Sequence, residues 1–335
     1  MEPETRYALL DGSRIAYQVV GDGPVDVVAS LGTFSSMDGL WALPEAGAPY
    51  LRLSTRCRLI LFDRLGTGWS DAVPLDALPP IESRWTEIQA VMEAAESERA
   101  VIFAKQDGGP AAMFGSVTAP DRVAGLILFH CPARLSWAPD YPIGVDEETA
   151  SGWRELLANW DIDTLMQMSF PSRADEPRVM QWGRRHVRTM ATPAAMLAYV
   201  DEMFRTDVRD LLPHIEVPTL VLRRRDHRWT THELDKYVAD QISGASFVEI
   251  PGADGELYFE ESGRMVEAIT TFLAGIQPET SERRDVERFM ATVMFTDIVS
   301  STEKALTSGD SDWVQLLQLH DAVSDDVVDG HGGRV

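Results

Sequence analysis

The residues whose types and spacing carry the most chemistry are Ala104-Lys105-Gln106-Asp107-Gly108, inside the run from Val101 to Met113. β-Branched and aromatic residues lead into Gly108-Gly109-Pro110 and then into small helix formers, which reads as strand, tight turn and helix. Such a turn, usually spelled Gly-x-Ser-x-Gly, is a nucleophile elbow when it lifts one side chain above a parallel sheet. Aligned on the two glycines and the proline, Gln106 stands at the nucleophile position. A carboxamide has no proton to surrender and cannot be activated as an alkoxide or thiolate can. A shift of one residue makes Asp107 the nucleophile instead, and both registers stay open. Lys105 beside the turn either pairs with an acid or stays solvated.

The elements that must position this turn follow the rhythm of an α/β protein. Arg14–Val20 alternates and closes on Gly21-Asp22-Gly23-Pro24. Asp26–Leu31, Arg58–Phe62, Val101–Lys105, Gly125–Phe129, Pro218–Leu222 and Ser246–Ile250 are nearly continuous apolar runs, as expected for buried parallel strands. Helical spacing covers Glu82–Ser97, Thr231–Ile242 and Ser262–Ile276. Gly32-Thr33-Phe34 follows a strand, at the carboxyl end where ligands gather in open α/β sheets. From about 134 to 207 strands are lacking. Trp137, Trp153, Trp160, Trp182, Met166, Met168, Met180, Met190 and Met203 concentrate there, as in a helical insertion over the strand ends. A charged linker at 277–288 separates residues 1–276 from a second stretch at 289–335, where Ala291–Ile298 reads as a fresh strand.

Composition excludes several classes. The chain has 335 residues, 44% of them hydrophobic, enough for one large domain and a smaller piece. A formal charge of −23 disfavours nucleic acid or an anionic membrane as partner. Cys57 and Cys131 have no metal-ligand spacing and suit small buried hydrophobes. No signal peptide and no apolar run of about 18 residues is visible, so a cytoplasmic protein without a membrane span is expected.

Residues 1–276 resemble the α/β-hydrolase superfamily. The resemblance rests on Phe62–Asp71, the helix start at Gly108-Gly109-Pro110, Pro120–Val123, Pro218–Leu222 and Pro251–Asp254. It implies a mostly parallel sheet flanked by helices, with the 134–207 insertion as a cap. It also implies a triad: nucleophile at Gln106, acid at Asp226 or His227, and histidine at Gly255. On that alignment nucleophile and base are both lost. The Asp107 register resembles haloalkane dehalogenases, whose elbow also reads Gln-Asp before its glycines; His227, His232 or His130 would then have to reach the elbow. In active relatives the backbone N–H groups of the residues at Thr33 and Asp107 form the oxyanion hole. The ligand pocket expected here is therefore Thr33, Phe34, Lys105, Gln106 and Asp107.

Residues 291–303, Ala-Thr-Val-Met-Phe-Thr-Asp-Ile-Val-Ser-Ser-Thr-Glu, resemble the opening of class III adenylate/guanylate cyclase domains. That resemblance implies metal binding by Asp297 and by the backbone carbonyl of Ile298. It further implies Mg²⁺ or Mn²⁺ and ATP or GTP in a complete, homodimeric cyclase, with no cofactor for the hydrolase-like part. The chain ends at Val335, where that family's second strand begins. The expectation is an incomplete α+β fragment that makes no cyclic nucleotide by itself, with residues after about Arg288 poorly ordered or docked on the first domain.

Three functions follow. The first is a catalytically inactive, ligand-sensing hydrolase-like domain that regulates a nucleotide cyclase in cyclic nucleotide signalling and takes a small apolar or acyl ligand. The second is an active esterase- or dehalogenase-like hydrolase with Asp107 as nucleophile. The third is a structural dimerisation module.

Overall fold

Apolar runs of five to seven residues lead the chain into one sheet. The computed structural model describes residues 3–32, 35–75 and 78–276, together with 312–314, 317 and 320. The chain divides into two units, Met1–Glu279 and Thr280–Val335, and the sheet lies in the first. Asp297, Ile298, the linker and nearly all of the cyclase-like stretch fall outside the described residues.

Strands β1 (Arg6–Leu10) and β2 (Ser13–Val20) form a hairpin that feeds β3 (Asp26–Ser30). Helices α1 (Met37–Trp41) and α2 (Pro44–Leu53) come next, then β4 (Arg58–Phe62), α3 (Ile81–Ala94) and β5 (Ala100–Lys105). After the elbow follow α4 (Gly109–Thr118) and β6 (Val123–Phe129). The cap is built from α5 (Glu147–Ala158), α6 (Ile162–Ser169), α7 (Pro177–Met190) and α8 (Pro193–Arg205). The chain returns to the sheet through β7 (Thr219–Arg224), α9 (His232–Gln241), β8 (Ser246–Ile250) and α10 (Ser262–Ala274). The order is β1-β2-β4-β3-β5-β6-β7-β8, and every pairing from β4 to β8 is parallel. Every residue of β3, β5, β6 and β7 is buried, which is why these strands read as unbroken apolar runs. This is the α/β-hydrolase fold.

The elbow is close-packed. A Cβ on Gly108 would stand 2.7 Å from Ser30 Oγ, and one on Gly109 would stand 2.4 Å from the Cβ of Cys131. The first turn of α4 can approach β3 and the end of β6 only because both side chains are absent. Gly109→Ala is accordingly expected to cost about 1–3 kcal/mol through overpacking, read as a lowered urea midpoint at unchanged slope.

The cap is tied to the sheet by specific bonds. Tyr199 Oη donates to Leu65 O at 2.9 Å, Trp182 Nε1 donates to Gly39 O at 2.8 Å, and Gly255 N donates to Ser169 O at 2.7 Å. Arg84 of α3 pairs with Glu202 of α8. His186 of α7 stacks on Trp182, is buried, and bonds through neither ring nitrogen. Burial pushes its pKa down to about 3, so the folded protein keeps it neutral where the unfolded chain would take a proton. Its contribution is therefore intact above the unfolded value of 6.5 and is lost as pH falls toward 3. Between about pH 7.5 and pH 5, His186→Phe is expected to spare the protein about 2 kcal/mol of destabilisation, measured as the difference in acid limbs of denaturant-derived stability.

Candidate active site

The site begins where β5 ends. Gln106 has φ 47°, the left-handed conformation of an elbow apex, and His130 at the end of β6 has φ 55°. Asp107 comes one residue after the apex. Its carboxylate forms a buried ion pair with Arg64, and its carbonyl accepts a 3.4 Å bond from Arg84 Nη1. Thr33 and Phe34 lie outside the described residues.

Between the elbow and the cap is a cavity of about 910 Å³ of empty space, in part continuous with solvent. Its wall is apolar: Trp153 and Leu157 of α5, Leu165 and Met166 of α6, Val187 and Met190 of α7, Met196, Val200 and Met203 of α8, with Leu135, Phe170 and Trp229. Of the nine Trp and Met residues singled out in the sequence, Trp153, Met166, Met190 and Met203 face this space. Polar groups gather at one end, where Gln106, His130, Thr230 and Glu256 line the wall beside Ser169 and Gly255. Asp107 instead lines a smaller pocket shared with Arg84, Arg134 and Gln106.

Two histidines lie under the polar end, and neither turns a basic nitrogen to the cavity. Their rings stack with centroids 3.6 Å apart. His130 Nε2 accepts the Arg224 backbone N–H at 3.2 Å, so the neutral ring carries its proton on Nδ1, which faces Thr230 Oγ1 at 3.1 Å and Asp235 Oδ2 at 3.3 Å. His227 Nδ1 accepts the Thr230 backbone N–H at 3.2 Å, so its proton is on Nε2. That Nε2 has no acceptor and lies 3.2 Å from where a Cβ on Gly255 would stand. His227 thus occupies part of the space a side chain at position 255 would need. Burial holds both rings well below the usual histidine pKa, for His130 reinforced by Arg223 and Arg224. Asp226 is exposed, and His232 is on the surface with Glu249 at 3.0 Å. The acid actually beside the histidines is Asp235 of α9, whose pKa burial pushes up to about 6.

Glu256 is the one ionisable acid on the cavity wall among the described residues. It is 3% exposed and paired with Lys105, which is fully buried. Lys105 is therefore neither solvated nor available to an acid of the ligand. Burial pushes the Glu256 pKa up, opposed by the Lys105 charge. Sequence reasoning missed both Glu256 and Asp235. The available signal was a lysine inside an apolar central strand, which requires a buried partner.

No family model matches the chain. The chain is 20% identical over 259 residues to karrikin insensitive 2 receptor CA of Petunia hybrida, covering 72% of this chain and 88% of that protein. It is 26% identical over 243 residues to a pimeloyl-[acyl-carrier protein] methyl ester esterase of Nitrosomonas europaea, covering 71% of this chain and 90% of the relative. The crystal structure of the enol-lactonase from Burkholderia xenovorans LB400 superposes with a TM-score of 0.67 at 20% identity, over 80% of this chain and 100% of that one.

These comparisons correct the expectation of an inert sensing domain of a nucleotide cyclase. The similarity runs to proteins named as an esterase and a lactonase, and the cyclase resemblance of residues 291–303 finds no support. The physical reason is that losing serine and histidine from a triad does not strip a cavity of every group that can move a proton. ATP or GTP and a homodimer, expected with the cyclase, have no support either. Among the described residues no helix is long and apolar enough to cross a membrane, and no group of three His, Cys, Asp or Glu residues could hold a metal.

Proposed function

We infer that the chain hydrolyses small neutral carboxylic esters or lactones, with water as the nucleophile and Glu256 as the general base. The observation that carries this reading is a buried acid, Glu256, among the residues that line an apolar cavity together with the elbow residue Gln106. Gln106 cannot attack, and the histidines have their basic nitrogens occupied by backbone N–H groups. Glu256 remains. It takes a proton from water as the oxygen bonds to the carbonyl carbon; collapse of the tetrahedral species breaks the C–O bond, the proton passes to the leaving alkoxide, and acid and alcohol result. A base shifted upward by burial suits that task. The esterase and lactonase names of the compared proteins agree in substrate class.

The test is turnover by the purified chain on methyl esters and lactones of graded acyl length, beside Glu256→Gln and Asp107→Asn. Turnover that survives Asp107→Asn and not Glu256→Gln supports the reading. Asparagine keeps an oxygen for Arg64, so the elbow has a partner in that variant. An inert parent across the panel would sink the proposal, and loss confined to Asp107→Asn would move the attack to Asp107.

A further inference from the structure

A second cleft lies against another face of the cap helix α7. Val187 and Met190 of that helix line the apolar cavity, whereas Arg178, Gln181 and Arg185 line the cleft. The opposite wall is α1 with the turn into α2, which contributes Asp38, Leu43 and Pro44. The cleft holds about 630 Å³ of empty space, in part continuous with solvent. Its walls are braced against each other. Trp182 Nε1 of α7 donates to Gly39 O of α1, Ser36 Oγ lies 2.8 Å from Thr189 Oγ1, and Arg178 pairs with Glu45 of α2. A cleft with fixed walls loses little freedom of its own when a small ligand enters.

Two charges of opposite sign line this cleft without a partner. Asp38 is half-buried and Arg185 exposed, and neither forms an ion pair or a side-chain hydrogen bond among the described residues. They do not pair with each other, so their charged atoms stand more than 4.0 Å apart. The charge that Asp38 acts on inside the protein is a like one. Burial pushes the Asp63 pKa up to about 7, and the Asp38 charge adds to that rise. What Asp38 lacks is therefore positive, and what Arg185 lacks is negative. Gln181, four residues before Arg185 on the same helix face, adds an exposed carboxamide. We propose that this cleft binds a small zwitterion, a free α-amino acid, with its ammonium on Asp38 and its carboxylate on Arg185 and Gln181. Leu43, Pro44 and Trp182 offer apolar contact to the ligand's side chain. A ligand with only one charge satisfies one wall and leaves the other unpaired. The cleft shares no lining residue with the cavity of Gln106 and Glu256, so the proposal stands apart from the esterase reading.

Ligand-observed NMR titration of the full chain at neutral pH tests this with glycine, L-leucine and L-phenylalanine. Each is compared with its deaminated acid, which lacks the ammonium, and its amide, which lacks the carboxylate. At least one of the three amino acids is expected to bind about tenfold more tightly than either of its singly charged analogues. Asp38→Asn should bring that amino acid down to the affinity of the acid, and Arg185→Gln to that of the amide. Because neither side chain has a partner in the fold, both variants are expected to keep the parent Tm. No binding by any of the three amino acids, or equal binding of amino acid, acid and amide by the unaltered chain, would overturn the proposal; these comparisons need no variant to fold. A preference for the zwitterion that survives both substitutions would overturn it as well, by placing the ligand elsewhere.

Discussion

Glu256→Gln is expected to lower kcat on a responsive ester by about 10²- to 10⁴-fold, the range a positioned general base supplies. The substitution keeps the shape and an oxygen for Lys105 while removing the basic electron pair. It also leaves the Lys105 ammonium buried beside a neutral amide, so a loss of stability accompanies the loss of rate. The double variant Lys105→Met/Glu256→Gln removes that charge and separates the two effects. If the double variant folds as well as the parent and remains slow, the missing base is responsible; if it recovers turnover, Glu256 acted only by supporting the fold. The pH profile gives a second reading. Because burial raises the Glu256 pKa above the ordinary 4.5, kcat/KM of the parent should rise with pH through an apparent value above that figure. A flat profile from pH 5 upward would argue against a carboxylate base.

Arg64→Met is expected to destabilise the protein by about 3–5 kcal/mol, the usual result of removing one partner of a buried ion pair. Arg64 is 8% exposed, pairs with the Asp107 carboxylate just behind the elbow, and lies over the Tyr199 ring with its guanidinium carbon 4.1 Å from the centroid. Tyr199 belongs to the cap, so this one side chain touches the loop after β4, the elbow and α8 together. Methionine fills part of the volume but leaves the Asp107 charge without this cation. Urea unfolding reads the difference directly. The double variant Arg64→Met/Asp107→Leu should recover most of it, because neither charge then needs a partner. A single-variant loss below about 1 kcal/mol, the worth of an exposed pair, would show that the buried pair does not hold the elbow.

The central strands were legible because burial on both faces leaves no reason for polar residues. Arg58–Phe62 and Ser246–Ile250 were read at their observed limits, and β3, β5, β6 and β7 to within about two residues. Strand β1 was not read. It is a short edge strand with Tyr7 46% and Leu9 71% exposed, so its apolar residues mark no buried face. Helices α1 and α2 were missed as well: α1 has only five residues, and α2 carries Pro49 inside it. The elbow showed itself through Gly108-Gly109-Pro110, since close approach to Ser30 and Cys131 tolerates no side chain. The rest of the site was not legible, because its partners are far apart in sequence. Glu256 meets Lys105 across 151 positions, and Asp235 meets His130 across 105. A local pattern records neither. The cyclase resemblance of residues 291–303 finds no support in the comparisons, and those residues lie outside the described ones.

Met166, Met190, Met196 and Met203 all line the cavity. Flexible and polarizable, they let one wall conform to ligands of different shape. They also make the wall chemically soft. Peroxide small enough to enter converts a thioether to a sulfoxide, which puts a polar, chiral S=O where an apolar chain should lie. Oxidative exposure would therefore erode apolar ligand binding while Glu256 and the elbow stayed intact, and a methionine sulfoxide reductase with access to the cap would restore it.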